Sequence, residues 1–495
     1  MPVSSNIEPT PETCKISLGV GLPELILPGL LKALKQRPTE CAVAVSLTRT
    51  AAAERIINAP PGQFSLALGC SGGSIKDTFA QVARAARQNM VKIKLEADHV
   101  LVWSSSVSHA QRTFGQFGEA PLDRRELAQS IAYINDVIEE AASVGKVSSF
   151  SIDAIDLIHD RAAQLNRSAL RATFEQTGTP TQRRAFFQRY AEKPFRLNSA
   201  KKGAKAYKFT KDEVRVLALK YWDALQRLRQ LAERVRQCMA GQQFNLELSL
   251  AETANPTTEK DLLFLLNELQ RMDLSFTHVA PNLGFKPYRK YSGKLTELRN
   301  RLELLGAIAQ SFGAQLALQV RAAVAHPTTA TAAASLDYTG KFLKAVLDGT
   351  KGQFKFKLTD AYHELVLGVL SRMPRRSAGY NTYSRIFDNV QRFLRLQQDS
   401  GSDLVNVELA RLLKQYDRDM RELKCQPRDL GAEFFRHYST IATNLRDMRG
   451  GRYLRLGLLE LYAQDKNARE KINTAVERFT LNVFDQLKIP QLKEK

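Results

Sequence analysis

The sequence predicts an α/β protein built as a (β/α)8 TIM-type barrel, with a long helical insertion after the fourth strand and a helical C-terminal extension. Two observations predict this architecture. Short β-type runs recur along the chain, and the segments between them carry apolar residues three and four positions apart, as amphipathic helices do. Strands that alternate with helices form parallel sheets. Because there are eight such runs, a closed barrel is favoured over an open sheet.

The eight predicted strands are short, largely apolar runs. They cover residues 41–49, 64–72, 91–103, 149–156, 244–252, 274–281, 314–321 and 354–360. The clearest helices between them are 261–272 and 295–313, and the second ends in a glycine suited to a helix C-terminus.

The chain is long enough for a barrel with large additions, because barrels of this type need about 250 residues. We expect the barrel to occupy residues 1–375. This part includes a basic helical insertion at about 157–241, which the lysine-rich stretch 198–211 interrupts. Residues 376–495 are predicted to form the helical extension packed on the barrel.

The chain is strongly basic, with 72 Lys and Arg against 51 Asp and Glu, a net charge of +21. Such an excess attracts nucleic acid, anionic lipid or acidic metabolites, or is simply spread over solvated helix surfaces. Tyr207 and Phe209 among the lysines of residues 201–211 favour binding to single-stranded nucleic acid. However, no zinc-finger, RRM or helix-turn-helix signature accompanies them, so we do not expect nucleic acid as the partner.

The five cysteines are scattered and never form a CxxC motif, so neither a disulfide framework nor a zinc cluster is predicted. The apolar stretch 16–34 contains Pro23, Glu24 and Pro28, which argues against a signal peptide or a membrane-spanning helix. We therefore expect a cytoplasmic protein without a membrane partner. The oligomeric state stays open.

In a barrel of this type, the side chains available for chemistry lie at the C-terminal ends of the strands. The predicted strands carry carboxylates and imidazoles toward these ends: Glu96, Asp98, His99, Asp153, Asp156, Glu252 and His278. Such groups bind divalent metals or act as acids and bases. The cations Arg49, Arg321, Lys355 and Lys357 also lie toward strand ends, and they suit the carboxylate or phosphate of a small substrate.

Each candidate has a structural alternative. His278 lies in an apolar strand and is typical of a core histidine, and the aspartates 153 and 156 either cap the next helix or take part in chemistry. Two adjacent ionisable groups, Asp98 and His99, have little structural purpose in a buried strand, so function is favoured there. Function is also favoured for Glu252, which precedes the next predicted helix by too many residues to cap it. For the four cations at the strand ends, the alternative to substrate binding is a position on the protein surface.

Four segments resemble the tagaturonate epimerase family: EADH at 96–99, FSIDAIDLI at 150–158, and residues 247–285 and 435–472. The third is the most specific, because it is similar to the family's strand, its acidic loop with threonine and proline, and the helix and strand that follow. The resemblance runs from about Asp98 to the C-terminus. It implies a metal-dependent barrel that interconverts D-tagaturonate and D-fructuronate by inversion at C3.

The resemblance also implies residue roles. His99 would be a metal ligand, and Asp98 and Glu252 would be the two acid/base groups. The metal would polarise the C2 carbonyl while one carboxylate removes the C3 proton and the other group returns a proton on the opposite face. Lys357 would hold the carboxylate of the anionic sugar substrate.

The sequence departs from the family pattern in the last two strands. Gln319 stands where the family's seventh strand presents a histidine, and Lys355 stands where the eighth presents a second metal histidine. A lysine ammonium repels a metal ion, so a divalent ion is expected to bind poorly. Gln319, Arg321, Lys355 and Lys357 indicate a pocket that contacts an anionic substrate through side chains. The predicted function is therefore a sugar-acid epimerase. The alternative is a non-catalytic relative that binds an anionic sugar or a protein.

Overall fold

Eight parallel strands close into a ring in the computed structural model, and helices surround them. The structure describes residues 15–47, 51–52, 73–105, 123–192, 194–199, 203–285, 291–321, 324–325, 334–336, 338, 340–401, 407–439 and 454–492. The barrel strands are β1 (Ile16–Gly19), β2 (Cys41–Ser46), β3 (Lys94–Leu101), β4 (Val147–Asp153), β5 (Asn245–Ser249), β6 (His278–Ala280), β7 (Gln315–Arg321) and β8 (Phe354–Thr359). Each strand pairs in parallel with its neighbour in this order, and β8 pairs with β1 to close the ring. The predicted (β/α)8 fold is confirmed.

The described helices alternate with the strands and then continue without strands to the C-terminal region. They are α1 (Pro23–Gln36), α2 (Ile75–Gln88), α3 (Arg124–Ser143), α4 (Arg167–Glu175), α5 (Pro180–Tyr190), α6 (Lys211–Cys238), α7 (Glu259–Arg271), α8 (Leu295–Ser311), α9 (Gly340–Thr350), α10 (Ala361–Ser371), α11 (Ala378–Asp399), α12 (Val407–Arg421), α13 (Glu433–Tyr438), α14 (Leu454–Gln464) and α15 (Lys466–Gln486). None of the described helices combines the length and the apolar character needed to cross a membrane.

The first barrel strand, β1, is not among the strands predicted from the sequence. The strand predicted at 64–72 lies outside the described residues, and the eighth place in the ring is taken by β1. Residues 16–34 form one nearly continuous apolar run in the sequence, whereas in the structure they form a four-residue strand and then a buried helix. An apolar run without periodicity does not separate a strand from a buried helix.

The insertion after β4 contains α4, α5 and a two-stranded antiparallel hairpin, Phe195–Ser199 with Gly203–Tyr207, before the long helix α6. The sequence predicts an interruption here but not a hairpin. The aromatic residues of this region are turned inward: Tyr207 and Phe209 are buried, and the Tyr207 hydroxyl donates to Glu259 at 2.6 Å. Rings packed in this way are not available to stack on bases, so the aromatic residues do not support the nucleic-acid interpretation.

The C-terminal extension packs directly on the first barrel helix. A Cβ atom added to Gly29 of α1 would lie 2.5 Å from the Asn473 carbonyl oxygen and 2.8 Å from the Val476 Cβ of α15. The backbones of the two helices therefore approach each other more closely than any larger residue at position 29 allows.

Candidate active site

The interior of the barrel is filled by charged side chains from three strands. Side chains alternate between the two faces of a strand, so the apolar Phe356 and Leu358 face the surrounding helices while Lys355 and Lys357 face inward. The same alternation turns Glu247 of β5 inward between Leu246 and Leu248. The interior charged groups are Glu96 and Asp98 of β3, Glu247 of β5, and Lys355 and Lys357 of β8, and each is at most 3% exposed.

Lys357 is the centre of this cluster. Its Nζ lies 2.6 Å from Glu247 Oε1, 2.7 Å from Asp98 Oδ1 and 3.6 Å from Glu96 Oε1. The three carboxylates come from two strands that are not neighbours of β8, so these contacts cross the barrel. A buried ammonium with several carboxylate partners is far more stable than an isolated buried charge.

Lys355 and two serines complete the network. The Lys355 Nζ lies 2.9 Å from Glu96 Oε2 and 3.6 Å from Glu247 Oε2. The Ser17 hydroxyl of β1 donates to Glu96 at 2.6 Å, and the Ser151 hydroxyl of β4 donates to Glu247 at 3.1 Å. The glutamates are therefore held by side chains from three strands, β1, β4 and β8.

The electrostatics of the cluster keep Asp98, Glu96 and Lys357 ionised. Burial raises the pKa of Asp98, but its contacts with His99 and Lys357 outweigh burial and place the pKa well below the ordinary value of 3.8. Burial likewise raises the pKa of Glu96, yet Lys355 and Lys357 bring it below 4.5. Burial lowers the pKa of Lys357, but Asp98, Glu247 and Glu96 raise it well above 10.5. The interior is thus a set of ion pairs at neutral pH.

A bulge in β3 brings Asp98 and His99 together. The register between β3 and β4 shifts between Ala97 and Val100, and His99 has a φ of +56°, a left-handed conformation that is uncommon for a residue with a side chain. As a result the two side chains meet, with His99 Nδ1 3.1 Å from Asp98 Oδ2. Strain of this kind is often found at functional sites.

The His99 ring also contacts two other strands. Its Nδ1 lies 3.2 Å from the Ser46 hydroxyl of β2, and the Gln319 amide nitrogen of β7 lies 3.0 Å from its Nε2. The ring therefore reaches β7 through Nε2, while its Nδ1 faces the Asp98 carboxylate and the Ser46 hydroxyl. The structure thus brings together the predicted site residues Asp98, His99, Gln319 and Lys357.

Glu252 lies buried in the turn that follows β5, 5% exposed. It does not cap α7. The Thr258 hydroxyl accepts a hydrogen bond from the Asp261 backbone, and the Asp261 side chain accepts one from the Thr258 backbone, which completes a capping box. The carboxylates that contact Lys357 are those of Glu96, Asp98 and Glu247, and the catalytic role of Glu252 stays a prediction.

The structure places the remaining candidates as follows. Arg321 is the last residue of β7, but its side chain and the whole of Arg49 lie outside the described part of the chain. Asp153 accepts a hydrogen bond from the Ile155 backbone at 2.9 Å, and Asp156 accepts one from the Ser104 backbone at 3.2 Å. Asp153 thus bonds the first residue of the short 3-10 turn Ile155–Leu157, whereas Asp156 lies inside this turn and bonds the segment after β3, so Asp156 does not cap the next helix. The predicted substrate contacts of Arg321, Lys355 and Lys357 stay predictions.

His278 faces the same interior as the lysines and is 1% exposed. Burial lowers its pKa well below 6.5, and Lys355, Lys357 and Lys94 lower it further. Its Nδ1 lies 3.1 Å from the Thr277 hydroxyl. The ring is therefore a neutral, buried histidine, which agrees with the interpretation of His278 as a core residue.

Sequence reasoning missed Glu247, Ser17 and Ser151. The signal for Glu247 was present, because a glutamate between two leucines of a buried strand has to face the barrel interior and needs a cation there. The FKFKL segment of β8 supplies two cations on one face. The two serines carried no such signal, because small polar residues are common in strands of every kind.

The carboxylates of Glu96, Asp98 and Glu247 have oxygen atoms within 4.8 Å of one another, a spacing that suits a metal ion. The cation among them is the Lys357 ammonium, and Lys355 adds a second positive charge. A divalent ion placed here would collide with Nζ and be repelled by both ammonium groups. The residues present therefore do not fit a metal at this point.

The fold and the site together define a (β/α)8 barrel with an interior network of ion pairs and an Asp–His pair on a strained bulge. Residues 129–320 match the family model of tagaturonate epimerase. The match confirms the resemblance to this family over those residues. They include Glu247, Glu252 and Gln319 but end before β8, the strand with the two lysines.

Solved structures show the same fold. The structure of a fructuronate-tagaturonate epimerase from Cohnella laeviribosi with one glycerol gives a TM-score of 0.62 at 16% identity, over 96% of this chain and 81% of that chain. The complex of the same protein with two glycerols gives 0.61 at 16% identity, over 97% and 83%. None of the curated proteins matches the chain.

Proposed function

We propose that the chain is a sugar-acid epimerase that inverts the hydroxyl-bearing carbon two bonds from the ketone of an anionic ketose acid, with D-tagaturonate and D-fructuronate as the substrate pair. The observation that carries the proposal is the buried contact of Asp98 with His99 on a strained bulge, beside Gln319. The family match and the name of the similar solved protein support the substrate class.

The chemistry needs two proton-transfer groups on opposite faces of the substrate. The two sugars differ at C4, two bonds from the C2 ketone, so the proposal replaces the C3 proton transfer that the family resemblance implies. One group removes the proton of the C4 hydroxyl, and the C3–C4 bond breaks to give an aldehyde and an enolate of the C2 ketone. The aldehyde rotates, the enolate re-forms the C3–C4 bond on its other face, and the second group returns the proton to the new C4 oxygen. Asp98 orients His99, and imidazole is the side chain most often used to move protons near neutral pH. Glu252, in the turn after β5, is the second group in this proposal.

A cation of β7 holds the substrate acid in this proposal. We place Arg321 and Gln319 in contact with the substrate, because both belong to β7 and Gln319 already reaches His99. Lys355 and Lys357 are paired with the carboxylates of the cluster, so the proposal gives them no direct substrate contact. No step uses a metal ion, because Gln319 and Lys355 stand where the family's metal histidines are expected and an ammonium group repels a metal ion. The free cysteines Cys41, Cys238 and Cys425 agree with the cytoplasmic location that we propose.

Conversion of the sugar tests the proposal. The purified protein is incubated with D-tagaturonate in D2O containing a chelator, and proton NMR follows the sugar. We expect D-fructuronate to form with its C4 hydrogen retained, and we expect D98N and E252Q to lower kcat at least about 100-fold. E297Q, which changes a carboxylate that is 65% exposed, is the matched control and should keep full activity. Folded protein that does not convert the sugar would refute the proposal.

A second candidate is a non-catalytic relative that binds an anionic sugar or a protein partner. The existing ion pairs favour it, because Asp98 and Glu247 already share the Lys357 ammonium. Calorimetric titration with D-tagaturonate separates the two candidates. Binding without conversion to D-fructuronate assigns the chain to this second class.

A further inference from the structure

We infer that the Lys357 ammonium replaces a divalent metal ion: the wild-type barrel binds no such ion at its carboxylate cluster, and removal of this one ammonium creates a divalent-cation site. The inference concerns the ligand chemistry of Glu96, Asp98 and Glu247, and it does not depend on the proposed reaction.

The first argument is geometric. Three carboxylates from β3 and β5 converge so that their oxygens lie within 4.8 Å of one another. Two of them are within 2.7 Å of the Lys357 Nζ, and the third is at 3.6 Å. Divalent ions bind carboxylate oxygens at about 2.0–2.6 Å, so an ion at the Nζ position needs only small inward movements of these side chains.

The second argument is that the glutamates keep unused acceptor capacity. Among the described residues, Glu96 Oε1 and Glu247 Oε2 have no hydrogen-bond donor, although both residues are fully buried. Buried carboxylate oxygens are normally satisfied. Both glutamates therefore have lone pairs that a metal ion can use and that the ammonium leaves unbonded.

The third argument is charge. Three carboxylates and two ammonium groups leave a formal charge of one negative unit. A neutral residue at position 357 leaves two negative units, which a divalent ion balances. The donors are all carboxylate oxygens, and such sites favour Mg²⁺, Ca²⁺ and Mn²⁺ over metals that prefer nitrogen or sulfur.

Metal analysis of K357A tests the inference. Wild type and K357A are dialysed against Mn²⁺ and then freed of loosely bound ions, and bound manganese is measured by mass spectrometry. We expect stoichiometric Mn²⁺ in K357A and none in wild type, and we expect K357A/E247Q to bind at least about tenfold more weakly than K357A, because a charged ligand is lost. K351A is the control, since Lys351 is an exposed lysine just before β8 and lies 3.9 Å from Glu303. It should behave as wild type does.

Two results overturn the inference: stoichiometric Mn²⁺ in wild type that E247Q removes, or folded K357A that binds none. If K357A does not fold in metal-free buffer, K357A and K357H are refolded with and without Mn²⁺, and their recovery is followed by circular dichroism. Metal-dependent recovery of either variant supports the inference, because an ion that binds only the folded state stabilises it. Recovery of neither variant, with or without Mn²⁺, also overturns it.

Discussion

The Lys357 ammonium bonds the Asp98 carboxylate at 2.7 Å although 259 residues separate them in the chain. The two residues lie on β8 and β3, which β1 and β2 separate in the ring, so the bond spans the barrel interior. Asp98 also contacts His99 through its other oxygen. One carboxylate therefore connects the ion pairs that stabilise the barrel with the pair proposed to move protons.

The acid stability of the protein should depend on Asp98. Its folded-state pKa lies well below 3.8, so its contribution to the free energy of unfolding is complete above the unfolded pKa and is lost as pH falls through the folded pKa. We expect D98N to flatten the decline of stability toward low pH, as measured by urea unfolding between pH 7 and 3. E297Q is the control, and parallel curves for D98N and wild type would contradict the expectation.

His278 should remain neutral in the folded protein where a free histidine is protonated. Because its folded pKa lies well below 6.5, the unfolded chain takes up the proton first as pH falls, and His278 then disfavours folding. H278Q should therefore lose less stability than wild type between pH 7 and 5. Imidazole nitrogen NMR provides a direct check, and a titration of this ring at or above pH 6.5 would show the expectation to be wrong.

The packing of α5 on α7 should depend strongly on one buried carboxylate. Glu268 of α7 accepts two bonds from Arg189, both at 2.9 Å, and one from the Tyr190 hydroxyl at 2.7 Å. We expect E268A to lower the free energy of unfolding by about 2–4 kcal/mol and to speed proteolysis of residues 157–210, because a partly buried pair loses its acceptor. E233A breaks the exposed pair with Arg229 and should cost at most about 1 kcal/mol. Equal effects of the two changes would argue against this attachment.

The contact of the C-terminal extension with α1 should not tolerate one added methyl group. G29A places its Cβ 2.5 Å from the Asn473 carbonyl oxygen, so α1 and α15 have to separate. We expect a loss of about 1–3 kcal/mol in chemical denaturation, as for other overpacked interfaces. G340A is the control, because no atom lies within 4 Å of its added Cβ. If both variants match wild type, the two helices do not pack as described.

The sequence was sufficient to predict most of the barrel. Seven predicted strands coincide with β2 to β8, because each combines an apolar face with flanking helical periodicity. β1 was missed because its four residues merge with the apolar start of α1. The hairpin at residues 195–207 was missed because its lysine-rich sequence is typical of a loop.

The site was only partly predictable. Asp98, His99, Gln319 and Lys357 were chosen from strand positions and the family resemblance, and the structure brings them together. Their pairing was not foreseen. A lysine at a strand end suggests a substrate contact, whereas its partners here, Asp98 and Glu247, come from strands across the ring. Strand order and register determine such partners, and neither can be derived from the local pattern of one strand.

A double-mutant cycle between Asp98 and Lys357 tests the central relationship most directly. The free energies of unfolding of wild type, D98N, K357M and D98N/K357M are measured by urea denaturation at pH 7. The ion pair predicts that the double variant loses less than the sum of the single losses, with a coupling energy of about 1–3 kcal/mol. Losses that add to within about 0.5 kcal/mol would show that the two side chains do not interact, and the account of the charged barrel interior would then be wrong.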